Sequence, residues 1–302
     1  MERLDNNKFQ YRLLRAAYKI APFNFKGEWV EKVSEIRKNY VSCLIIASSR
    51  PNELDALLED LSLQDLGVEN FEVCVLNDGA GVSVRQVVEK YQKHLNIIYQ
   101  ENQQPHRILS NLRNTTLAMA NGEYILLLDD DTRIMQNNFL TLAGQLLERK
   151  RADVLMPRAY SFYGIVKAKY DFLDEYSMTN RCCLYRREVL EQLGGFKKDL
   201  NTYEDIELSI RVMIKQCMVF KVNDLEYLHP PLYFDSMRKP LSIGQTIFQI
   251  KRQYSFLVWL IVYLNALRFL PYGLIPNKIC QQWFKISLGV LLYPFYRKSY
   301  YY

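Results

Sequence analysis

Between Val41 and Met156 the chain alternates short apolar runs with longer segments of helical period. The runs Val41–Ala47, Phe71–Leu76, Asn96–Tyr99, Tyr124–Leu128 and Val154–Met156 have the length and content of buried strands. Between them, Asn52–Leu63, Ser83–Lys93, Ile108–Ala120 and Asn137–Lys150 predict helices. Such a βαβ rhythm implies an α/β domain, a mostly parallel sheet with helices on both faces. Ligands of these sheets bind beyond the C-terminal strand ends. Ala47, Asn77-Asp78-Gly79 and Asp129–Asp131 all fall on that edge.

The flanks differ from this body. Residues 1–39 predict an amphipathic helical leader, with Leu4, Tyr11, Leu14, Ala17 and Tyr18 at helical spacing and a second helix from Trp29 to about Lys38. Residues 40–235 form the main domain, divided near 135 into a first half and an acceptor half. Within it a helix runs from about Glu204 to Lys215, and His229-Pro230-Pro231 marks an irregular loop. Residues 236–302 form a helical appendage. Its stretch 254–275 approaches the length of a bilayer span, but Asn265, Arg268 and Pro271 interrupt it. Two readings remain, a helical hairpin packed against the main domain and, favoured over a true span, a helix lying in the membrane plane.

Charge sharpens this division. The net charge is +6, yet from Ser236 onward there are nine basic and no acidic side chains, so the rest of the chain is −3. A basic, aromatic, apolar tail fits anionic lipid head groups. It is too apolar, and its charges too spread, for a nucleic-acid surface. The N-terminal octet lacks the apolar core of a signal peptide. None of the six cysteines forms a CxxC pair, which argues against zinc, and Cys43 and Cys74 fall inside strands. Together these predict a cytoplasmic protein, peripheral at the inner face of the cell membrane.

The chemistry is concentrated where Tyr124–Leu128 runs into Asp129-Asp130-Asp131. Three adjacent carboxylates cannot be core, so they face water or a cation. On an extended chain Asp129 and Asp131 share a side and Asp130 points away. This pairs Asp129 with Asp131 as hard oxygen ligands for Mg2+ or Mn2+, puts Asp131 in one cleft with Asp78 and Asp205, and takes Asp130 off the metal and out of that cleft.

In order, Val41–Arg50, Leu76-Asn-Asp-Gly79, Asn111-Leu-Arg-Asn114, the acidic triplet, Gly194-Gly-Phe196, Glu204-Asp205 and Arg211 resemble the motifs of family-2 glycosyltransferases, which have the GT-A fold. The resemblance runs from about Val41 to about His229. It implies an inverting transferase that moves a sugar from a nucleotide sugar, a UDP-sugar first, to a glycan or lipid-linked acceptor. It places Ala47, Ser48, Asp78, Arg113, Asp129 and Asp130 at the nucleotide sugar. Asp129 and Asp131 would hold the metal, with His229 a candidate third ligand. Asp205 is similar to the general base, and Gly195, Tyr203 and Glu204 fall on the acceptor side. Ala47-Ser48-Ser49 and Asn77 depart from the family pattern, which leaves the base and sugar open. Two alternatives stand beside this: transfer to a polyprenyl phosphate, and a non-catalytic nucleotide- or glycan-binding scaffold.

Overall fold

A computed structural model describes residues 1–29, 35–79, 82–103, 108–160, 176–230 and 234–296. The chain starts with β1 (Glu2–Arg3) and α1 (Phe9–Ile20), then β2 (Arg37–Ala47), α2 (Pro51–Ser62), β3 (Phe71–Asn77), α3 (Val82–Tyr91) and β4 (Ile97–Glu101). It continues through α4 (Leu109–Met119), β5 (Gly122–Asp129), α5 (Phe139–Lys150), β6 (Val154–Tyr160), β7 (Cys182–Arg186) and α6 (Arg187–Leu193). Then come α7 (Glu204–Lys215), β8 (Val219–Leu228), α8 (Arg238–Ile250), α9 (Phe256–Leu267) and α10 (Lys278–Tyr296).

Among the described residues eight strands form one sheet in the order β1-β8-β6-β7-β5-β2-β3-β4. The pairs β2–β3, β2–β5, β3–β4 and β6–β8 are parallel. Strand β7 is inserted antiparallel between β5 and β6, and β1 caps the edge antiparallel to β8. Because the central strands are covered on both faces, they read as continuous apolar runs, and every residue of β3 is buried. One face packs Leu54, Leu57, Leu58 and Leu61 of α2 together with Val84, Val88, Phe139 and Leu147. The other packs Leu112 and Leu117 of α4, Leu190 and Leu193 of α6, and Leu208 and Val212 of α7. Helix α2 opens with Pro51 at its first turn, where a missing N–H costs nothing.

A third apolar cluster lies off the sheet. Leu14 and Ala17 of α1 meet Ile243 and Ile247 of α8, Val258, Trp259 and Val262 of α9, and Ile286 and Val290 of α10. The appendage is therefore docked, and a buried network holds it there. Tyr254 Oη donates to Glu207 Oε1 at 2.7 Å, and Arg211 grips both oxygens of Glu207 at 2.6 and 2.7 Å.

The flanks depart from sequence expectation in two ways. The helix expected from Trp29 to Lys38 lies in part outside the described residues, and its end is strand: Arg37 N–H donates to Asn121 O, and Asn39 N–H to Glu123. Cross-strand pairing with β5 overrides local propensity there. Segment 1–39 thus also supplies β1 and the first residues of β2 to the sheet. Strands β7 and β8 and helices α6 and α8 are not evident from periodicity.

Candidate functional site

At the C-terminal edge of β2, β3 and β5 lies a cavity of about 370 Å³. Ser48, Ser49, Arg50, Asp78, Arg113, Asp129, Asp130, Asn201, Thr202 and Lys239 line it, with Ile46, Leu109 and Leu112 as the apolar part. The parallel register puts Ile46 beside Asp129 and Ala47 beside Asn77, so the loops after three strands open at one place. Asp78 is buried there and accepts from Asn102 Nδ2 at 3.0 Å. Ala47 does not line the cavity. It is core, and its carbonyl takes the Asp78 N–H at 2.8 Å.

The triplet does not continue the strand. Strand β5 ends at Asp129, and Thr132 N–H folds back to Asp129 O in a turn. The alternation expected of an extended chain therefore fails. Asp130 lines the cavity with Asp78 and Asp129, accepting the Ser48 N–H at 3.1 Å and pairing with Arg50. The expectation that Asp131 shares this cleft with Asp78 and Asp205 while Asp130 stays out of it is corrected: Asp130 lines the cavity, Asp131 and Asp205 do not, and a turn follows no twofold period. Burial first, against the attraction of Arg50, pushes the Asp130 carboxyl up to about 6.

Asp131 turns toward His229. An antiparallel bridge between Arg133 and Leu228 brings the two chain segments together and sets His229 beside the triplet. Asp60 fastens this turn, accepting from Arg133 at 2.7 and 2.8 Å and from Ile134 N–H at 2.9 Å. His229 Nδ1 lies 2.6 Å from Pro230 O, a carbonyl that can only accept. Nδ1 therefore carries the proton in the neutral ring, and Nε2 presents a lone pair. That lone pair lies 3.0 Å from Asp131 Oδ1 and 3.6 Å from Asp129 Oδ2.

Asp129, Asp131 and His229 each offer a ligand atom, all within 4.8 Å of one another. Asp131 Oδ1 and His229 Nε2 are buried with no hydrogen-bond partner. Three acceptors converging without a donor repel one another unless a cation sits between them. A divalent ion with hard or borderline preference fits this oxygen and nitrogen set. Where a proton plays that part, burial and Arg181 oppose it, the bonds to Asp129 and Asp131 favour it, and the His229 pKa ends above its usual value.

Arg113 is buried under the same site. It donates to Asp129 Oδ1 at 2.5 Å and to Leu128 O at 3.3 Å, and its Nε lies 3.7 Å from Glu204 Oε1. Glu204 and Asp205 open α7. Glu204 is buried and accepts from Asn180 Nδ2 at 2.6 Å. Burial, then the Asp205 charge, push its carboxyl up to about 8. Asp205 holds its own helix start, accepting the Ile206 N–H at 2.8 Å. Burial is the largest influence on it and outweighs that bond, so its pKa also rises.

Of the residues assigned to the acceptor side, Glu204 lies beside Arg113, whereas Gly195 serves packing. Gly195 has φ +65°, a Cβ there would meet Trp29 Cβ at 2.5 Å, and its carbonyl accepts from Arg211. Tyr203 also has positive φ and packs against the cluster of the appendage. Three basic residues escape sequence reasoning. Arg50 pairs with Asp130 and Asp131. Arg181 acts electrostatically on His229 and Asp205. Lys239, at the start of α8, lines the cavity, with burial and Arg181 lowering its pKa. No local pattern distinguishes them from surface cations.

Known proteins share this fold. The sequence profile described as "Glycosyl transferase family 2" matches residues 42–194, half of the chain. The UDP-forming cellulose synthase catalytic subunit of Komagataeibacter sucrofermentans is 27% identical over 170 residues, 48% of this chain and 22% of that protein. Poly(ribitol-phosphate) beta-N-acetylglucosaminyltransferase TarS of Staphylococcus aureus is 32% identical over 100 residues, 33% of this chain and 17% of that one. The chain thus spans only about a fifth of these relatives' length. The crystal structure of S. aureus TarS 1–349 with UDP-GlcNAc superposes with TM-score 0.56 at 18% identity, covering 81% of this chain and 78% of that one. A mannosyltransferase from Pyrobaculum calidifontis, in complex with GDP-Man and Mn2+, gives TM-score 0.59 at 14% identity, covering 94% and 92%. These superpositions show a shared GT-A fold. With half its length matched by the family profile, the chain belongs to glycosyl transferase family 2.

Proposed function

We propose that this protein transfers a sugar from a nucleotide sugar, most simply a UDP-sugar, to a hydroxyl of a glycan or lipid-linked acceptor, with inversion. The observation that carries this is the convergence of Asp129, Asp131 and His229 on one point beside a strand-end cavity. UDP in the name of one relative and UDP-GlcNAc in a structural neighbour support the donor class.

In this reading Asp78 and Ser48 hold the nucleoside end, and Arg113 fixes Asp129 from below. Asp129, Asp131 and His229 hold Mg2+ or Mn2+. That ion, when bound, supplies charge for the departing diphosphate. Lys239 and Arg50 add positive potential to the cavity wall. Asp205 takes the proton of the acceptor hydroxyl. Glu204 beside it is pushed up to about 8 by burial and then by the Asp205 charge, so the two carboxylates are not ionised independently. Attack from the side opposite the diphosphate inverts the anomeric centre. A polyprenyl phosphate, already anionic, would need no such base.

The appendage fits a cytoplasmic-face membrane position. Phe256–Leu274 has mean hydropathy 1.5 and is 17% buried, long and apolar enough to be a candidate span. Its regular helix α9 has 12 residues, roughly 18 Å, short of a bilayer core of about 30 Å. Lying in the interface suits that length better.

The test is a panel of nucleotide sugars with Mn2+, assayed for donor hydrolysis and transfer. Wild type should consume one donor class, and Asp131→Ala should not. Turnover that persists in full with chelator, or in Asp131→Ala, would overturn the metal-assisted reading.

A further inference from the structure

We infer that helix α1 is a second membrane-contacting element, its Phe9, Leu13, Ala16 and Ile20 stripe seated in the interface of an anionic bilayer. The inference deepens the membrane position proposed above and rests on it. At about 100° per residue, positions 9, 13, 16 and 20 fall within an arc of roughly 60°. All four are exposed, Phe9 and Ile20 each at 78%. A helix on a globular surface needs one apolar stripe, facing the core. Helix α1 already has that stripe: Leu14 and Ala17 are buried in the cluster that includes Val258, Trp259 and Val262 of α9. Its exposed stripe is additional, and it leaves apolar surface in water unless something covers it.

Charge identifies the cover. Lys8, Arg12, Arg15 and Lys19 run along one flank of the stripe, and no carboxylate occurs between Asp5 and Glu28. Long basic side chains beside an apolar ridge can place their stems in the acyl boundary and their charges among head groups. The neighbouring helix has the same character. Helix α9 leaves Phe256 and Leu264 exposed, and no Asp or Glu follows Asp235. Two helices packed on each other, both apolar outward and both without acids, match an anionic lipid surface better than a soluble partner of mixed charge.

The intact chain should be titrated with phosphatidylcholine vesicles with and without phosphatidylglycerol. Wild type should prefer the anionic vesicles. Phe9→Ser/Leu13→Ser/Ile20→Ser should weaken partitioning about tenfold or more, with unchanged melting temperature and unchanged transfer to a water-soluble acceptor. Arg12→Gln/Lys19→Gln should lose the preference for anionic vesicles. Leu264→Ser/Leu274→Ser tests the appendage separately. If only that last variant weakens binding, the α1 inference fails and the appendage reading stands. If wild type binds neither vesicle, both fail. If the α1 triple variant instead converts a lipid-free dimer to monomer, the stripe joins two copies and the inference is overturned. Should the triple variant unfold, Leu13→Ser alone and the charge variant decide on the same criteria.

Discussion

Two clusters of titratable side chains, one on α7 and one at the end of β5, have opposite bonding states. One turn into the helix, Glu207 and Arg211 are both fully buried. Arg211 spends its guanidinium on both Glu207 oxygens, Leu193 O and Gly195 O, while Tyr254 adds a further bond to Glu207. At the end of β5, Asp131 Oδ1 and His229 Nε2 face each other with no donor between them. The first cluster is closed and joins the appendage to the domain. The second is open and has room for a cation. Both clusters are charged and largely buried, and bond satisfaction separates them.

The comparison can be broken most forcefully at Asp205. Asp205→Asn should cut turnover by about 10²- to 10⁴-fold, the range of a lost general base, with nucleotide affinity by calorimetry little changed. Near-normal turnover would remove Asp205 from the chemistry. At the closed cluster, Arg211→Met leaves Glu207 buried and unpaired. It should cost about 3–5 kcal/mol in chemical denaturation, and Glu207→Gln/Arg211→Met should recover much of it. A neutral single variant would show that the network is not what holds α8.

Asp131→Ala should lower Mn2+ affinity by about a hundredfold or more and cost far less stability than Arg211→Met, since the pair it loses with half-exposed Arg50 is set against the relief of converging acceptors. A stability loss as large as that of Arg211→Met would make the two clusters alike. The smallest effect concerns pH. Glu204 has a folded pKa of about 8 against its usual 4.5, with burial the main cause. Between those values the folded state keeps a proton that the unfolded chain releases, so stability falls as pH rises through that window. Glu204→Gln should flatten this slope in thermal melts taken across it. In kinetics, the raised pKa of Asp205 predicts that kcat/KM falls on acidification earlier than a solvent-exposed aspartate would allow.

Much of the fold was legible because burial on both sheet faces writes continuous apolar runs, as in Phe71–Asn77, and because helices α2, α4, α5 and α7 repeat their apolar positions at helical spacing. Strand β7 was not legible. Its five residues mix Cys182 and Cys183 with Arg186, and only pairing with β5 and β6 makes them a strand. In the site, Asp78, Arg113 and Asp129 could be named from motifs and do share one cavity. The fate of Asp130 could not be read, because alternation presumes an extended chain and the backbone turns there.

The sequence by itself determined the alternating order of strands and helices, the acidic strand end, the acidic start of α7 and the basic character of the appendage, all properties of neighbouring residues. Only the tertiary structure decided which carboxylates meet which cations. His229 reaches Asp131 through a bridge between Arg133 and Leu228, and Lys239 reaches the cavity because α8 packs on Thr202 through Ser242 and Thr246. Those encounters join residues tens to nearly two hundred positions apart. They depend on strand register and helix docking, which a periodic pattern of side chains does not encode.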